Sequence, residues 1–326
     1  MPQFSDISVV IHGPVNALPE RDMDQGITLM SIKSVRQHLP GAKIILSTWE
    51  GQNVTDLDVD EVVLNQDPGP NIMGYYPDGL PYKENNNRQI VAVREGLKKV
   101  STRYAVKLRS DNYLLHSGFV GLQQAFPKRS EALKLLDERV VVLHRFTKMQ
   151  TAGRRIVRHL CDLFAYGLTT DLLKMWDIPL QPDYLYNPDI KGESQYAYFP
   201  ERVLSTEQLF CSKWLTKLNP DSKMLNFHHD CDESLLREWQ LLLANNLIIA
   251  EANNAGVATT ARLKADKSRA NEISSAEWKA LYQKYCDTSY YLPRQRFWVE
   301  TGIYRQIKAP FEIIKQSLKK PKPLNN

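Results

Sequence analysis

RYAVKLRSDNYLL, Arg103 to Leu115, alternates apolar and charged residues from Tyr104 to Leu108, climbs into Arg109-Ser110-Asp111-Asn112 and turns apolar again. That pattern predicts a half-buried strand that delivers a cation, a hydroxyl and a carboxylate to its C-terminal edge. In open α/β sheets ligands bind at that edge. Arg109 is suited to a bidentate contact with oxygen anions, and Asp111 to a hard divalent ion. The alternative is an ordinary ion pair at a strand end, which such residues often form.

Upstream, ISVVIHGP opens with a strand, Ile7 to Ile11, that stops at Gly13-Pro14. A first strand ending in a glycine turn lets a nucleotide approach the backbone closely. Apolar residues at Ile27, Met30, Ile32 and Val35 predict a helix from Gly26 to His38, stopped by Leu39-Pro40-Gly41. Strands follow at Lys43 to Thr48 and Glu61 to Asn65. This order argues for βαβ units with parallel neighbours, hence an α/β domain with a central, mostly parallel sheet flanked by helices. The dinucleotide fingerprint and the P-loop are both absent from the sequence.

A polar, aromatic loop is expected from Asp67 to Lys83, and then a helix from about Asn87 to Val100 with Ile90, Val91, Val93, Leu97 and Val100 on one face. Asn87, Arg88 and Gln89 crowd its amino end. They are either a cap or donors aimed at an anion or a base above the sheet.

Further along, short helices are expected at Gly118 to Phe126 and Lys128 to Glu138, then a strand in RVVVLHRF. Arg154, Arg155 and Arg158 read as a slot for an anionic acceptor or as a solvated face. Asp162 heads an aromatic turn, as a ligand contact or a turn former, and a helix capped by Thr169 or Thr170 follows. Tyr184, Tyr186, Tyr196 and Tyr198 lie in a proline-rich loop, where rings either stack on a ligand or serve as packing residues. Ser205 or Thr206 caps the next helix and puts Glu207 on its first turn, rigid enough for a general base, although a glutamate there also suits the helix dipole.

Composition is ordinary for a globular chain, 43% hydrophobic and 24% charged over 326 residues. A net charge of +5 with pI ≈ 8.8 fits a phosphate-bearing ligand or an anionic membrane surface. Nucleic acid is not an expected partner. The four cysteines lack CxxC spacing, so neither a zinc site nor a disulfide framework is signalled. No secretory pattern and no apolar run of spanning length is present, and a cytoplasmic body with peripheral contact to the inner membrane is expected. A boundary is placed at 270: residues 1–270 as the α/β body, and 271–326 as a helical, basic, aromatic-rich extension of the kind that lies on anionic bilayers.

Five short motifs occur in order: Gly13-Pro14 after the first strand, LSTW (Leu46 to Trp49) after the second, DPG (Asp67 to Gly69) after the third, NRQI (Asn87 to Ile90) opening a helix, and KLRSD (Lys107 to Asp111) ending the fourth strand. Together they resemble the WavE-type lipopolysaccharide-synthesis family of bacterial glycosyltransferases, with looser support from CDLFAYG and TEQLF. The resemblance implies a GT-A-like fold and transfer of a sugar from a nucleotide-diphosphate-sugar donor to a surface glycan or lipid-linked acceptor, with inversion if Glu207 is the base. It also implies an Asp-x-Asp holding Mg²⁺ or Mn²⁺ on the diphosphate, and a late histidine, here His228, in the metal shell. This chain has Arg109 in place of the first aspartate and keeps Asp111. Gly13, Pro14, Asn87, Arg88 and Gln89 would then hold the nucleotide. Lys107, Arg109 and Ser110 would face the diphosphate, with or without a metal at Asp111, and Asp162 and Glu207 the acceptor. A sugar nucleotidyltransferase and a non-catalytic glycan-binding or scaffold subunit are the competing readings.

Overall fold

Ile7, Val9, Val10 and Ile11 are shut off from solvent in the computed structural model, because their strand lies between two parallel neighbours. That strand, β1 (Ile7–His12), pairs with β2 (Lys43–Trp49) on one side and with β6 (Tyr104–Arg109) on the other. Buried on both faces, such strands read as nearly continuous apolar runs. The structure describes residues 2–15, 23–76, 79–185, 201–202, 204–259 and 271–318.

With β3 (Glu61–Asn65), β8 (Val140–Leu143), β11 (Phe164–Leu168) and β13 (Leu247–Ala250), these strands form a seven-stranded sheet in the order β13-β8-β11-β6-β1-β2-β3. The β1-β2, β2-β3, β1-β6 and β8-β13 pairs are parallel, while β11 runs antiparallel to β6 and β8. Strand order reverses at β1: the chain steps outward to β2 and β3, then returns to place β6 on the other flank. A reversal of this kind opens a crevice beyond the carboxyl ends of the two strands, here between Gly13 and Arg109. Helix α2 (Asn86–Lys98) packs over β1 and β2.

Two segments differ from expectation. The stretch after Asp67 is not all loop: β4 (Asn71–Tyr75) and β5 (Pro81–Glu84) make an antiparallel hairpin, joined by Glu201–Arg202 into a small three-stranded sheet. Lys128 to Glu138 holds only a 3-10 turn at Glu131–Leu133. Its amides are taken by side chains, Leu135 and Leu136 donating to Asn246 Oδ1 and Asp137 and Glu138 to the Asp171 carboxylate, so the helical ladder has no claim on them. The helix after β11 spans Thr169–Trp176, and Thr169 does not cap it, because its hydroxyl donates to the Thr102 carbonyl.

Past residue 270 the chain stays in contact with the body. Trp278, on a helix over Ser275–Tyr285, is fully buried, donates to the Leu243 carbonyl and meets Phe126 edge-on at 4.7 Å. None of the helices among the described residues is long and apolar enough to cross a membrane.

Candidate active site

A cleft of about 490 Å³ opens at the carboxyl edge of the sheet, where β1 and β6 end. The floor is set by the turn after β1. Gly13 has φ +119°, and a Cβ there would stand 2.9 Å from Ser110 Oγ, so glycine lets the turn close onto the tip of β6. Ser110 completes the clasp: its amide donates to the His12 carbonyl at 2.9 Å and its hydroxyl to the Pro14 carbonyl at 2.7 Å. Gly13 and Pro14 line the cleft, whereas Ser110 lies beneath it and holds them in place.

Arg109 reaches the cleft from the end of β6. Its Nε donates to Asp111 Oδ1 and its Nη2 to Asp111 Oδ2, both at 2.8 Å. Burial works against the guanidinium charge, but the Asp111 carboxylate more than offsets it and, with help from Asp162, holds the group above its ordinary range. Asp111, with its side chain only 4% exposed, does not line the cleft. The strand therefore shows the ligand space a cation, with the carboxylate behind it.

Lys107 is also withdrawn. Fully buried, it donates to the Asp162 carbonyl and sits 4.4 Å from the Trp176 ring centroid. Loss of hydration pushes its ammonium down to about 8, against the opposing pull of Asp162. Asp162 itself does line the cleft, held by Gln89, whose Nε2 donates to Oδ2 at 2.8 Å and to the carbonyl at 3.2 Å.

The amino end of α2 forms one wall through Asn85, Asn86, Arg88 and Gln89. Arg88 grips Asp67 bidentately at 2.8 and 2.7 Å and reaches Asn85 Oδ1 at 2.9 Å. Asn87 faces away from the cleft: its amide clamps residue 181, donating to the Gln181 carbonyl at 2.9 Å and accepting from its amide at 2.7 Å.

Glu207, His159 and His228 also line the cleft, and Thr206, next to Glu207, donates to Asn86 Oδ1 at 2.8 Å, joining this side to the amino end of α2. Ser205 caps α5 (Thr206–Leu218) in a capping box with Gln208, which places Glu207 on the first turn with its side chain 17% exposed. Glu207 Oε2 lies 3.5 Å from His159 Nε2. His159 Nδ1 is 2.7 Å from the Phe146 carbonyl, which can only accept, so Nδ1 carries the proton and Nε2 is the nitrogen turned to Glu207. Gln208 Nε2 donates to the carbonyls of Val157 and His228 at 3.0 and 2.9 Å, leaving Oε1 to accept from His228 Nδ1 at 2.6 Å. His228 is thus a buried, oriented ring.

His159 had no sequence signal beyond its place after a basic run. A bulge brings it in: register shifts between Arg155 and His159 on β10 (Arg154–His159), and Arg158 sits at φ +58°. That bulge turns Arg158 into the body, where it donates to Glu238 and to the Lys223 carbonyl at 2.6 Å each, while Arg155 pairs with Glu233 at 2.8 Å. Arg154, Arg155 and Arg158 do not line the cleft, so of the two readings the anion slot is not formed there, and Arg154 and Arg155 are exposed. Lys148 and Thr151 of β9 (Lys148–Thr151), Tyr82 and Glu84 of β5, and Trp49 also line the cleft. Tyr186, Tyr196 and Tyr198 lie outside the described residues.

The donor set expected for Mg²⁺ or Mn²⁺ does not fit such an ion. Hard divalent ions need free carboxylate oxygens. Both oxygens of Asp111 are engaged by Arg109, Asp111 and His228 do not share the cleft lining, and no group of three or more His, Cys, Asp or Glu among the described residues is arranged to hold a metal.

The profile of a family described as WavE lipopolysaccharide synthesis matches residues 7–311. No curated protein matches the chain. Among solved structures, a cytidylyltransferase from Leptospira borgpetersenii serovar Hardjo-bovis is 12% identical with a TM-score of 0.31, covering 54% of this chain and 66% of its own. S. aureus TarS is 12% identical with a TM-score of 0.36, covering 95% of this chain and 48% of its own. A Drosophila β1,4-galactosyltransferase 7 variant, in complex with manganese, UDP-Gal and xylobiose, is 8% identical with a TM-score of 0.28, covering 72% of this chain and 73% of its own. This chain therefore spans less than two thirds of the first two, and at such values the three structures bear on neither its chemistry nor its partners.

Proposed function

The chain belongs to the WavE lipopolysaccharide-synthesis family, and from that premise we propose that its cleft transfers a sugar, with inversion, from a nucleotide-diphosphate-sugar donor to a hydroxyl of a bacterial surface glycan. One observation carries the reading: a guanidinium anchored by a buried carboxylate and a rigidly held glutamate line the same cleft, at the strand-order reversal of a mostly parallel sheet.

In this reading the nucleotide lies over Gly13-Pro14 and against the amino end of α2, where Arg88 and Gln89 are already oriented by Asp67 and Asp162. Arg109 and Lys148 meet the diphosphate. Their charges oppose the negative charge that builds on the leaving oxygen as the bond from the anomeric carbon to the diphosphate breaks. Arg109 pays little reorganisation cost, because Asp111 holds it in place before the donor arrives.

Glu207 takes the proton from the acceptor hydroxyl as that oxygen forms its bond to the anomeric carbon, and the nucleoside diphosphate leaves with the bonding electron pair. His159 Nε2, a proton acceptor 3.5 Å from Glu207, receives the proton that the carboxylate has taken, and Asp162 contacts the acceptor from the same cleft. No step is routed through a metal.

A thermal-shift series of nucleoside diphosphates and nucleotide sugars tests the donor half of the proposal, since a specific ligand raises Tm with the logarithm of its concentration over Kd. At least one nucleotide sugar is expected to raise Tm in wild type and not in Arg109→Ala. If none does, the cleft does not bind this donor class. Release of free nucleoside diphosphate from the stabilising donor, slow alone and faster with acceptor glycan, separates a transferase from a binder, and release of pyrophosphate from a nucleoside triphosphate would instead identify a nucleotidyltransferase.

A further inference from the structure

The last described helix carries an apolar stripe that faces solvent. Arg294–Phe297, a π-helical stretch over Trp298–Tyr304 and Arg305–Ser317 run on without a break. Along them Trp298, Val299, Ile303, Ile307, Phe311 and Leu318 are 52–75% exposed, with Phe311 at 67%. Exposed apolar side chains repeated at helical spacing mark a face built to be covered.

Charge says what covers it. Residues 294–326 hold eight Lys and Arg against two Glu, a net of +6, while the whole chain is only +5, so the remainder is −1. That excess lies on the segment that exposes the stripe, where residues 294–318 hold five Lys and Arg against two Glu, and on the three lysines that follow it in sequence. Two copies of such a segment repel each other, whereas an anionic bilayer attracts the charge and accepts the apolar groups.

The opposite side of the helix is fastened to the body. Arg305 grips Glu277 through both guanidinium arms, at 2.5 and 2.6 Å, and donates to the Glu272 carbonyl at 3.2 Å. Gly153, at φ +77°, lets the helix backbone come so close that a Cβ there would stand 2.5 Å from the Ala309 carbonyl. Gly153 lies in the turn between β9 and β10, and β9 supplies Lys148 and Thr151 to the cleft. One hairpin thus touches the helix at its tip and lines the cleft along its first strand.

We infer that this helix is a docking element for an anionic lipid bilayer, and that it seats the rim of the cleft formed by β9 beside the membrane surface. Trp298 and Phe311 enter the boundary between headgroups and acyl chains, with the basic side chains at the phosphates. The consequence that an acceptor would be met at the bilayer rests on the glycosyl-transfer reading; the docking itself does not.

Flotation of the full-length protein with vesicles rich in phosphatidylglycerol, against pure phosphatidylcholine, tests it without any turnover. Wild type is expected to float at least about tenfold better with the anionic vesicles, and Phe311→Glu and Ile307→Glu are each expected to lose most of that binding. Both side chains are exposed, so an unchanged melting curve will certify the fold, and Lys315→Glu gives a second variant that acts through charge alone. Equal flotation on both lipids, binding unaffected by Phe311→Glu, or a lipid-indifferent dimer that Phe311→Glu makes monomeric would each overturn the inference.

Discussion

Arg109 and Asp111, two residues apart at the tip of one strand, face each other through two parallel hydrogen bonds of 2.8 Å. The pair replaces the two carboxylates expected of an Asp-x-Asp with one cation and its counter-ion, and only the cation reaches the cleft. A chain that presents a guanidinium to a diphosphate has less need of a bridging metal, because the guanidinium offers a planar pair of donors to phosphate oxygens.

Removal of divalent ions follows from this. Donor binding by the purified protein is expected to be unchanged in excess EDTA, measured calorimetrically. Loss of binding on chelation, restored by Mn²⁺, would show that Asp111 leaves Arg109 to take a metal.

Asp111→Asn keeps the volume and removes the charge that Arg109 depends on. Breaking a buried pair by removing one partner costs about 3–5 kcal/mol, so urea unfolding at neutral pH should shift by an amount of that order. Donor affinity should fall as well, through Arg109, although Asp111 itself does not line the cleft. Wild-type stability in Asp111→Asn would mean that the pair contributes nothing.

Glu207→Gln retains the hydrogen-bonding outline of the side chain but cannot accept the acceptor's proton. General-base removal is worth roughly 10²–10⁴ in rate, so kcat should drop by that factor while donor Kd stays within error. His159→Ala is expected to move the pH profile of kcat more than its plateau, since His159 Nε2 faces Glu207 rather than the donor. Normal turnover by a folded Glu207→Gln protein would remove the base assignment.

Lys107 makes stability depend on pH. Below about 8 the folded and unfolded states both hold its proton, and the wild type bears the full cost of burying the charge. As pH rises from about 8 towards the ordinary 10.5, the folded protein has released the proton and the unfolded chain has not, so this contribution to stability rises with pH. The shift from 10.5 to about 8 corresponds to about 3 kcal/mol. Urea midpoints of wild type and Lys107→Met should therefore converge, or cross in favour of wild type, between pH 7 and pH 10. Parallel pH dependence of the two proteins would show that Lys107 titrates normally.

Gly13→Ala introduces a Cβ 2.9 Å from Ser110 Oγ on a backbone at φ +119°. A strained dihedral of this kind costs on the order of 1–3 kcal/mol, and the loss should appear in Tm. Stability equal to wild type would mean that the turn relaxes and that the Ser110 clasp is dispensable.

Local patterning carried much of the architecture. Runs such as ISVVI and KIIL are apolar on both faces, as strands inside a covered parallel sheet require, and the elements laid down in order at Ile7–His12, Ile27–His38, Lys43–Trp49 and Glu61–Asn65 needed no long-range information, whereas YAVKLR reads as a half-buried strand and is buried along nearly its whole length, because Lys107 finds partners beneath the cleft. The same holds for Glu207, because a capping serine and helical periodicity set which turn it occupies. Where side chains compete with the backbone ladder, the pattern misleads. Asn246 and Asp171, distant in the chain, take the amides of Leu135 to Glu138, and the helical pattern there goes unused.

Composition and spacing could place Arg109, Lys107, Asn87 and Asp111 near one sheet edge, but their directions arise from partners far along the chain. Asp162 draws Lys107 beneath the cleft and Gln181 draws Asn87 out of it, while a bulge near Arg158 swings His159 towards Glu207. Strand and helix periods are properties of neighbours in sequence, so the residues alone establish them. Which of two charged groups faces a ligand depends on the burial cost and the available counter-charge at that point in space, and those exist only once the chain has closed around them.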